Sequence, residues 1–271
     1  MKSVRSPKPR LPRLLWKYCG ARATPILSSS EIKLTRPKEF NDPFEWSPAV
    51  SGRITADDVV TMYEDPNWVK HWDLPALESV SAEDRQAELQ SLAAKFTEIS
   101  QELMEEQLDD ISGRWAFLCL SANPGNILMW SHYAENHRGF AIGIDHRKLG
   151  KLSLFPIVYR DRRITFEALT PFTIKPRVRT LEIFTRKSLE WAYEREYRMI
   201  WRIDDLIPRM INGVKAYTIP LIPEAIAEVR LGCRAPQELE DEIRSILTGQ
   251  GCSARITRAT LHHRLFRLQF R

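Results

Sequence analysis

The sequence predicts an α+β protein with a mostly antiparallel sheet, flanking helices and one helical insertion. Short runs alternate between apolar and polar residues, as in "EYRMIWRI" (196–203), which is the period of a half-buried strand. One long stretch instead repeats apolar residues at spacings of three and four, which is typical of an amphipathic helix. The chain contains no G-x-G-x-x-G, G-x-x-x-x-G-K-[ST] or G-x-S-x-G motif, which disfavours Rossmann, ATPase and serine-hydrolase folds. The same elements are compatible with a split sheet.

The composition is that of a globular protein, and the length permits either one domain with an insertion or two small domains. The chain has 271 residues, of which 43% are hydrophobic, so it can bury a sizeable core. Residues 1–13 are basic and contain Pro7, Pro9 and Pro12, which predicts a loose tail. We expect residues 14–271 to form a single α+β domain that carries an acidic helical insertion at about 54–112.

Charge is distributed unevenly along the chain. The net charge is +5, yet residues 57–110 hold 15 acidic and 3 basic residues, so the remainder carries +17. That remainder favours an anionic small molecule or nucleotide as ligand, with nucleic acid a less favoured partner. The alternative is that these charges form solvated faces without a ligand.

Two further features concern location and metals. No apolar run approaches the roughly 18 residues that span a bilayer, and the first twenty residues lack an apolar signal core, so we expect a cytoplasmic protein without membrane contact. The four cysteines (Cys19, Cys119, Cys233 and Cys252) are far apart in sequence and lack zinc-ligand spacing. They are interpreted as reduced, mostly buried thiols, and no metal is expected.

The first elements are strands. "LLWKYCG" is an apolar run closed by Gly20, and residues 31–35 form a second strand. Lys17 and Tyr18 alternate sides on the first strand, so only one of them can face a given surface. Asn41 and Asp42 open the loop "NDPFE", where Asn-Asp-Pro also has purely local turn chemistry.

The acidic insertion is predicted to be helical. Ser81 and Asp84 resemble a capping box, and an apolar stripe follows at Leu89, Leu92, Phe96, Ile99 and Leu103. The stripe of this helix, residues 81–111, packs on its own domain or provides a surface for a protein partner.

The second half alternates strands and helices. We predict a strand at 115–121, a helix that begins after Asn126 and ends near Gly139, and a strand "GFAIGID" that pairs with 115–121. "FPIVYR" is the next strand and about 181–194 the next helix. After "EYRMIWRI", with Arg198 on its polar face, come a strand "AIAEVRLG", a helix at about 236–247 and the strands "SARITRAT" and "HRLFRLQF".

The segment "MWSHYAENHRGF" (129–140) could line a ligand site. On a helix, Met129, Trp130 and Tyr133 share one side, whereas His132 and Asn136 lie on a different edge. Trp130 and Tyr133 are either packing residues or walls of a cleft that stack on a planar ring. His132 and His137 are five apart and diverge, so they do not predict a zinc site.

A second candidate is "RKSLEWAYEREYR" (186–198). On the predicted helix, Lys187, Trp191 and Glu194 share a face, and Glu194-x-Glu196-x-Arg198 crosses from helix to strand. A carboxylate at the mouth of a strand can stabilise positive charge at an anomeric carbon or act as a general base. The alternative is a set of surface salt bridges, each worth about 0–1 kcal/mol.

In order along the chain, "FNDPFE", "CLSANPGNILMWSHYAENHRGFAIGID", "TRKSLEWAYEREYR" and "IAEVRLGCRA" resemble an uncharacterised bacterial family, a domain of unknown function typified by N-D-P-F-E, W-S-H-Y-A and E-x-E-x-R blocks. The resemblance covers the chain from Leu14 onward. It implies no established activity.

A weaker similarity is to ADP-ribosyltransferases, which bind NAD in a split sheet. They use a polar residue on the first strand, an aromatic or hydroxyl residue in the middle and a glutamate, often in E-x-E, at the start of a late strand. The first-strand His or Arg of those enzymes is absent unless Lys17 substitutes. The similarity implies NAD as substrate and a transferase or NAD glycohydrolase activity. It implies three catalytic residues, Glu196, Glu194 and His132. It also implies a set of residues that bind NAD: Lys17, Tyr18, Asn41, Asp42, Ser121, Trp130, Tyr133, Lys187 and Arg198.

Two other hypotheses stay open at this point. The first is a non-catalytic module that binds a nucleotide or nucleic acid. The second is a nuclease, for which Arg198 in the lysine position after Glu196 is a poor match. The acceptor substrate and the oligomeric state do not follow from the sequence.

Overall fold

The computed structural model describes residues 11–72, 81, 83–150, 153–172, 180–211 and 213–271. They divide into two compact units. The sheet unit comprises residues 11–36, Trp115–Ile157 and Leu189–Arg271, and the helix unit comprises Pro37–Arg114 and Val158–Ser188. The predicted acidic insertion at 54–112 lies inside the helix unit, which extends beyond it on both sides.

The strands are β1 (Leu14–Cys19), β2 (Glu31–Lys33), β3 (Ala49–Ser51), β4 (Trp115–Ser121), β5 (Phe140–Asp145), β6 (Leu154–Pro156), β7 (Val158–Arg160), β8 (Thr165–Glu167), β9 (Arg186–Ser188), β10 (Glu196–Arg202), β11 (Pro208–Ile211), β12 (Val214–Pro220), β13 (Ile226–Leu231), β14 (Arg255–Leu261) and β15 (Leu268–Phe270). The α-helices are α1 (Pro25–Ser28), α2 (Ala56–Tyr63), α3 (Pro66–His71), α4 (Arg85–Ser112), α5 (Ile127–Tyr133), α6 (Thr180–Thr185) and α7 (Gln237–Gly249). The predicted α+β class, with mostly antiparallel pairing, is confirmed.

The sheet unit is built on an eight-stranded sheet of order β15-β14-β13-β5-β1-β4-β10-β6, in which only β13 and β14 are parallel. One face packs on α1 and α7 through a large apolar cluster that includes Leu15, Ile142 and Ile243. The predicted pairing of "GFAIGID" with 115–121 is wrong, because β1 lies between β5 and β4.

The sheet is split between β1 and β4. β1 pairs with β5 over all six of its residues, but with β4 at one position, Trp16 opposite Ser121. Farther along β4, Phe117 exchanges two backbone hydrogen bonds of 2.8 Å with Thr35 instead of pairing with β1. The two halves of the sheet are therefore joined at a single registered pair.

The helix unit is centred on α4, which has 28 residues. The predicted capping box is present only in part. The Ser81 hydroxyl accepts from the Asp84 amide over 3.1 Å and donates to the Asp84 carboxylate over 2.6 Å, but α4 begins only at Arg85, so Ser81 does not cap it. The predicted stripe holds at Leu89, Leu92, Phe96 and the half-buried Leu103, but Ile99 is 39% exposed. Ser100 and Met104, which the stripe did not include, are buried. The buried face of α4 shifts around the helix axis, because the first half of α4 packs with α2 and α3 and the second half packs with β8 and α6. Within the described ranges, no helix has the length and apolar character needed to cross a membrane.

Several smaller expectations changed. All four cysteines are free, but only Cys19 is fully buried, and the other three are half-buried. "FPIVYR" forms two short strands, β6 and β7, which belong to different units. The final strand is limited to β15, so most of "HRLFR" lies in the turn that precedes it.

Candidate active site at the split of the sheet

Helix α5 positions the central aromatic residues. The Asn126 side chain caps it by accepting from the amides of Leu128 and Met129. Trp130 is fully buried, donates from its indole N–H to the Pro124 carbonyl over 2.9 Å and meets the Tyr18 ring edge-on at 5.3 Å. In this structure Trp130 is a packing residue, which was one of its two interpretations.

The predicted helix at 127–139 ends at Tyr133, one and a half turns early. Glu135, Asn136 and His137 follow with φ of +50°, +52° and +69°, in the left-handed region. Asn136 therefore does not continue the helical edge that begins at His132. The His137 ring lies 3.2 Å from the Ser131 hydroxyl, and burial, followed by the nearby Arg234 charge, lowers the pKa of His137.

The predicted helix at 181–194 is wrong. α6 ends at Thr185, residues 186–188 form β9, and Leu189–Glu194 is a 3-10 helix. The chain leaves the helix because β9 pairs in parallel with β7. Lys187 is consequently not on one helical face with Trp191 and Glu194. It lies in the helix unit, where its buried ammonium is 3.2 Å from Glu45.

Glu194 is held from two directions within the sheet unit. Its carbonyl accepts from the Ser121 hydroxyl over 2.6 Å, and its Oε1 accepts from the Tyr133 hydroxyl over 2.6 Å. The Ser121 hydroxyl also accepts from the Asn123 amide, whose carbonyl accepts from Tyr18 over 2.6 Å. Residues from β1, β4 and α5 thus fix the segment just before β10.

Glu196 begins β10 and is paired with Arg198. Arg198 donates from Nε to Oε1 over 2.7 Å and from Nη2 to Oε2 over 3.1 Å. Arg198 is 1% exposed, so its predicted place on a solvated face is wrong. Its guanidinium stays buried because Glu196 neutralises it and because it lies 5.9 Å from the centre of the Phe117 ring. Burial and the adjacent Glu196 charge raise the pKa of the Cys119 thiol.

The two carboxylates are separated by a residue in an unusual conformation. Arg195 has φ +47°, although it is not a glycine, and its carbonyl accepts from the Ala122 amide over 3.0 Å. Non-glycine residues in this region are held there at some cost and cluster at functional sites. Here the conformation ends the 3-10 helix and starts β10, with both Glu194 and Glu196 buried.

The accessible part of this site is a group of four rings, which we name the aromatic cluster: His132, Tyr133, Trp191 and Tyr193. The His132 ring centre lies 6.3–6.4 Å from each of the other three, and Trp191 and Tyr193 are 6.0 Å apart. His132 is exposed and the others are half-buried. Tyr133 connects the cluster to Glu194.

Strand register aligns further candidates at the split. Trp16 is opposite Ser121, and Ser121 is opposite Glu196, so the three form one row across β1, β4 and β10. Residues directly opposite in a sheet project from the same face. Tyr18 shares this face with Trp16, whereas Lys17 projects from the opposite one.

The remaining sequence candidates lie in the helix unit. Asp42 is 3% exposed, and its Oδ1 accepts from the Phe44 amide over 2.9 Å, which is the predicted local turn chemistry. Asn41 precedes it in the same loop. The structure therefore groups nine of the predicted site residues in the sheet unit, while Asn41, Asp42 and Lys187 belong to the other unit.

Sequence reasoning missed Asn123, Tyr193 and Cys119. Asn123 acts mainly through its backbone, which leaves no signature in the sequence. Tyr193 could have been found, because an aromatic pair at Trp191 and Tyr193 directly precedes Glu194.

In the described part of the chain, no group of three His, Cys, Asp or Glu residues is placed to hold a metal ion.

Comparisons with known proteins gave one match, to the model of a protein family. No curated protein and no solved structure matches the chain. The segment that matches this family model runs from Met129 on α5 to Met199 on β10. It therefore includes Tyr133, Glu194 and Glu196. Residues 129–199 match a family described as "Protein of unknown function (DUF2971)", which supports the predicted resemblance to an uncharacterised family.

Proposed function

We propose that this protein is an enzyme that cleaves the N-glycosidic bond of NAD, as an ADP-ribosyltransferase or an NAD glycohydrolase. The observation that carries the proposal is the row Trp16, Ser121 and Glu196 at the point where the sheet splits. It supplies a hydroxyl on a middle strand and a carboxylate at the mouth of a late strand, and Tyr18 lies on the same face of the first strand. The similarity to ADP-ribosyltransferases implies a polar residue on the first strand, a hydroxyl or aromatic residue in the middle and such a carboxylate around a bound NAD.

In the proposed reaction, the bond between the ribose C1′ and the nicotinamide nitrogen breaks, and its electron pair leaves with nicotinamide. Positive charge develops at C1′ and the ring oxygen, and the Glu196 carboxylate stabilises it. Water or an acceptor nucleophile then bonds to C1′ and loses a proton. Glu194 is the candidate general base for that proton, because its carboxylate lies two residues before Glu196 and is positioned by the Tyr133 hydroxyl.

Other residues have supporting roles in this proposal. Arg198 is a positioning residue, since its two hydrogen bonds orient Glu196. The aromatic cluster offers rings that are accessible for stacking on nicotinamide or adenine, a role that fully buried Trp130 does not provide here. His132 is the most exposed member of the cluster and is available to hydrogen-bond the ligand.

The test is release of nicotinamide from NAD by the purified full chain, with and without a protein acceptor. We expect Glu196→Gln to lower the rate by at least about a hundredfold, in line with the loss of a group that stabilises transition-state charge. Glu238→Gln, an exposed carboxylate on α7, is the matched control and should retain the full rate. Thermal unfolding of each variant separates lost chemistry from lost folding.

Because Glu196 is buried in an ion pair, a second variant is needed. Glu194→Gln keeps a hydrogen-bond acceptor for Tyr133 but removes the base, so we expect a lower kcat with little change in KM. Absence of nicotinamide release by the folded wild-type protein, under any acceptor condition, would overturn the proposal.

One observation favours a second candidate function, a non-catalytic nucleotide-binding module. Both oxygens of Glu196 accept from Arg198, which is also the arrangement of a structural ion pair. Saturable NAD binding that is weakened by Trp191→Ala, without any nicotinamide release, would support this candidate over the enzyme.

A further inference from the structure

The helix unit contains a cavity of about 220 Å³ that the proposed enzyme site does not use. Of its thirteen described lining residues, five are cationic and Asp161 alone carries a carboxylate. The cationic residues are Arg160, Arg162, Arg163, Arg186 and Lys187. Two aromatic residues, Phe44 and Trp46, complete the wall.

Three of these charges are not neutralised. Lys187 and Arg186 pair with Glu45 and Glu182, respectively. By contrast, among the described residues no carboxylate pairs with Arg160, Arg162 or Arg163. The turn between β7 and β8 that carries them, "RDRR", therefore brings an excess of positive charge to the cavity.

Arg163 is also held in place. Its Nε donates to the Ser47 carbonyl over 2.7 Å, and its Nη2 donates to the Ser47 hydroxyl over 2.6 Å and to the Pro48 carbonyl over 3.1 Å. All three acceptors are neutral, so these bonds fix the guanidinium in position without neutralising its positive charge. A fixed cation binds an anion at a lower entropic cost than a mobile one.

The cavity wall also contains an unused hydrogen-bond donor, on Arg186, and an exposed aromatic ring, on Phe44. The Nε of Arg186 is buried and has no hydrogen-bond partner among the described residues, and a buried unused donor is costly unless a ligand satisfies it. Phe44 is 60% exposed, and the Arg163 guanidinium lies 5.8 Å from its ring centre. A planar ring of a ligand can stack on such an exposed aromatic face.

We infer that this cavity binds an organic phosphate of the mononucleotide class, with the phosphate on the RDRR turn and the base beside Phe44. Guanidinium groups match phosphate geometry through paired hydrogen bonds, which a halide cannot form. A phosphate monoester carries about −1.5 to −2 charges at pH 7, so it suits three unpaired arginines better than a singly charged carboxylate does. The cavity lies entirely within the helix unit, so the inference does not depend on the NAD chemistry proposed for the sheet unit.

The experiment is isothermal titration of the full chain with AMP, adenosine and inorganic phosphate as probes. We expect AMP to bind, phosphate to bind more weakly and adenosine to bind least. The double variant Arg160→Gln/Arg162→Gln should weaken AMP binding by about tenfold or more, the scale of lost charge-assisted hydrogen bonds. Both residues are exposed, so the variant should fold.

Arg114→Gln is the matched control, an exposed arginine in the same unit that pairs with Asp110 outside the cavity. It should leave AMP affinity unchanged. Equal affinity of AMP and adenosine, or no effect of the double variant, would overturn the anion site. Phosphate binding as tightly as AMP would overturn the role of Phe44. AMP affinity and nicotinamide release are measured in separate experiments, so the failure of one proposal does not decide the other.

Discussion

Tyr133, the last residue of α5, donates a 2.6 Å hydrogen bond to Oε1 of Glu194, 61 residues later in the chain. Ser121 donates to the carbonyl of the same glutamate. A helix and a strand that are remote in sequence thus converge on Glu194, two residues before β10 begins. This convergence is the structural basis of the candidate site, and it can be tested through stability as well as through activity.

Tyr133→Phe should destabilise the protein. The change removes a hydrogen bond to a buried carboxylate, which is worth about 1.5–3 kcal/mol. Denaturant unfolding of wild type and variant measures the difference. Tyr217→Phe is the control, because Tyr217 is buried in the sheet unit and its hydroxyl makes no hydrogen bond among the described residues. Equal effects of the two substitutions would contradict the assigned bond.

Arg198→Leu should destabilise the protein more than the simultaneous replacement of Arg198 and Glu196 does. The single change leaves the buried Glu196 without its bidentate partner, at a cost of about 3–5 kcal/mol. In Glu196→Gln/Arg198→Leu the charge is also removed, so the double variant should recover part of that loss. A double-mutant cycle measures the coupling, and strictly additive effects would show that the pair is not coupled.

Gly139→Ala should destabilise the connection between α5 and β5. A Cβ at Gly139 would lie 2.0 Å from the Cys19 carbonyl oxygen, and backbone atoms cannot move aside as a flexible side chain can. We expect a loss of at least about 2 kcal/mol in the free energy of unfolding. Gly249→Ala, at the end of α7 with no atom within 4 Å of the new Cβ, should be neutral or stabilising.

His137 should make stability depend on pH. Its folded pKa is lowered by burial and then by Arg234, so the unfolded chain binds a proton more readily than the folded one. The resulting stability is complete above the unfolded pKa of about 6.5 and declines as the pH falls through and below it. Unfolding free energies measured between about pH 8 and pH 5 should show this decline.

His137→Asn is the variant that isolates this effect. Asn tolerates the left-handed conformation that His137 adopts at φ +69°, and it does not titrate. The variant should therefore show a flatter stability profile over that range. An unchanged slope would assign the pH dependence to other groups.

Much of the secondary structure could be predicted because it depends on local patterns. The alternation of "EYRMIWRI" placed β10, and the Asn126 cap placed the start of α5. The helix predicted at 81–111 is α4, which begins at Arg85. Where the prediction failed, a tertiary contact overrode the local pattern. Residues 186–188 form a strand because β7 lies beside them, and the buried face of α4 turns because two different clusters contact it.

The sequence by itself determined the residue types of the candidate site, the α+β class and the family resemblance, because these follow from composition, periodicity and the order of short blocks. Only the tertiary structure decided which candidates meet. Strand register places Ser121 opposite both Trp16 and Glu196, burial turns Arg198 from a predicted surface residue into the partner of Glu196, and Lys187 is engaged by Glu45 in the helix unit. Register and burial depend on which strands become neighbours, and this information is distributed over the whole chain and is not contained in any one segment.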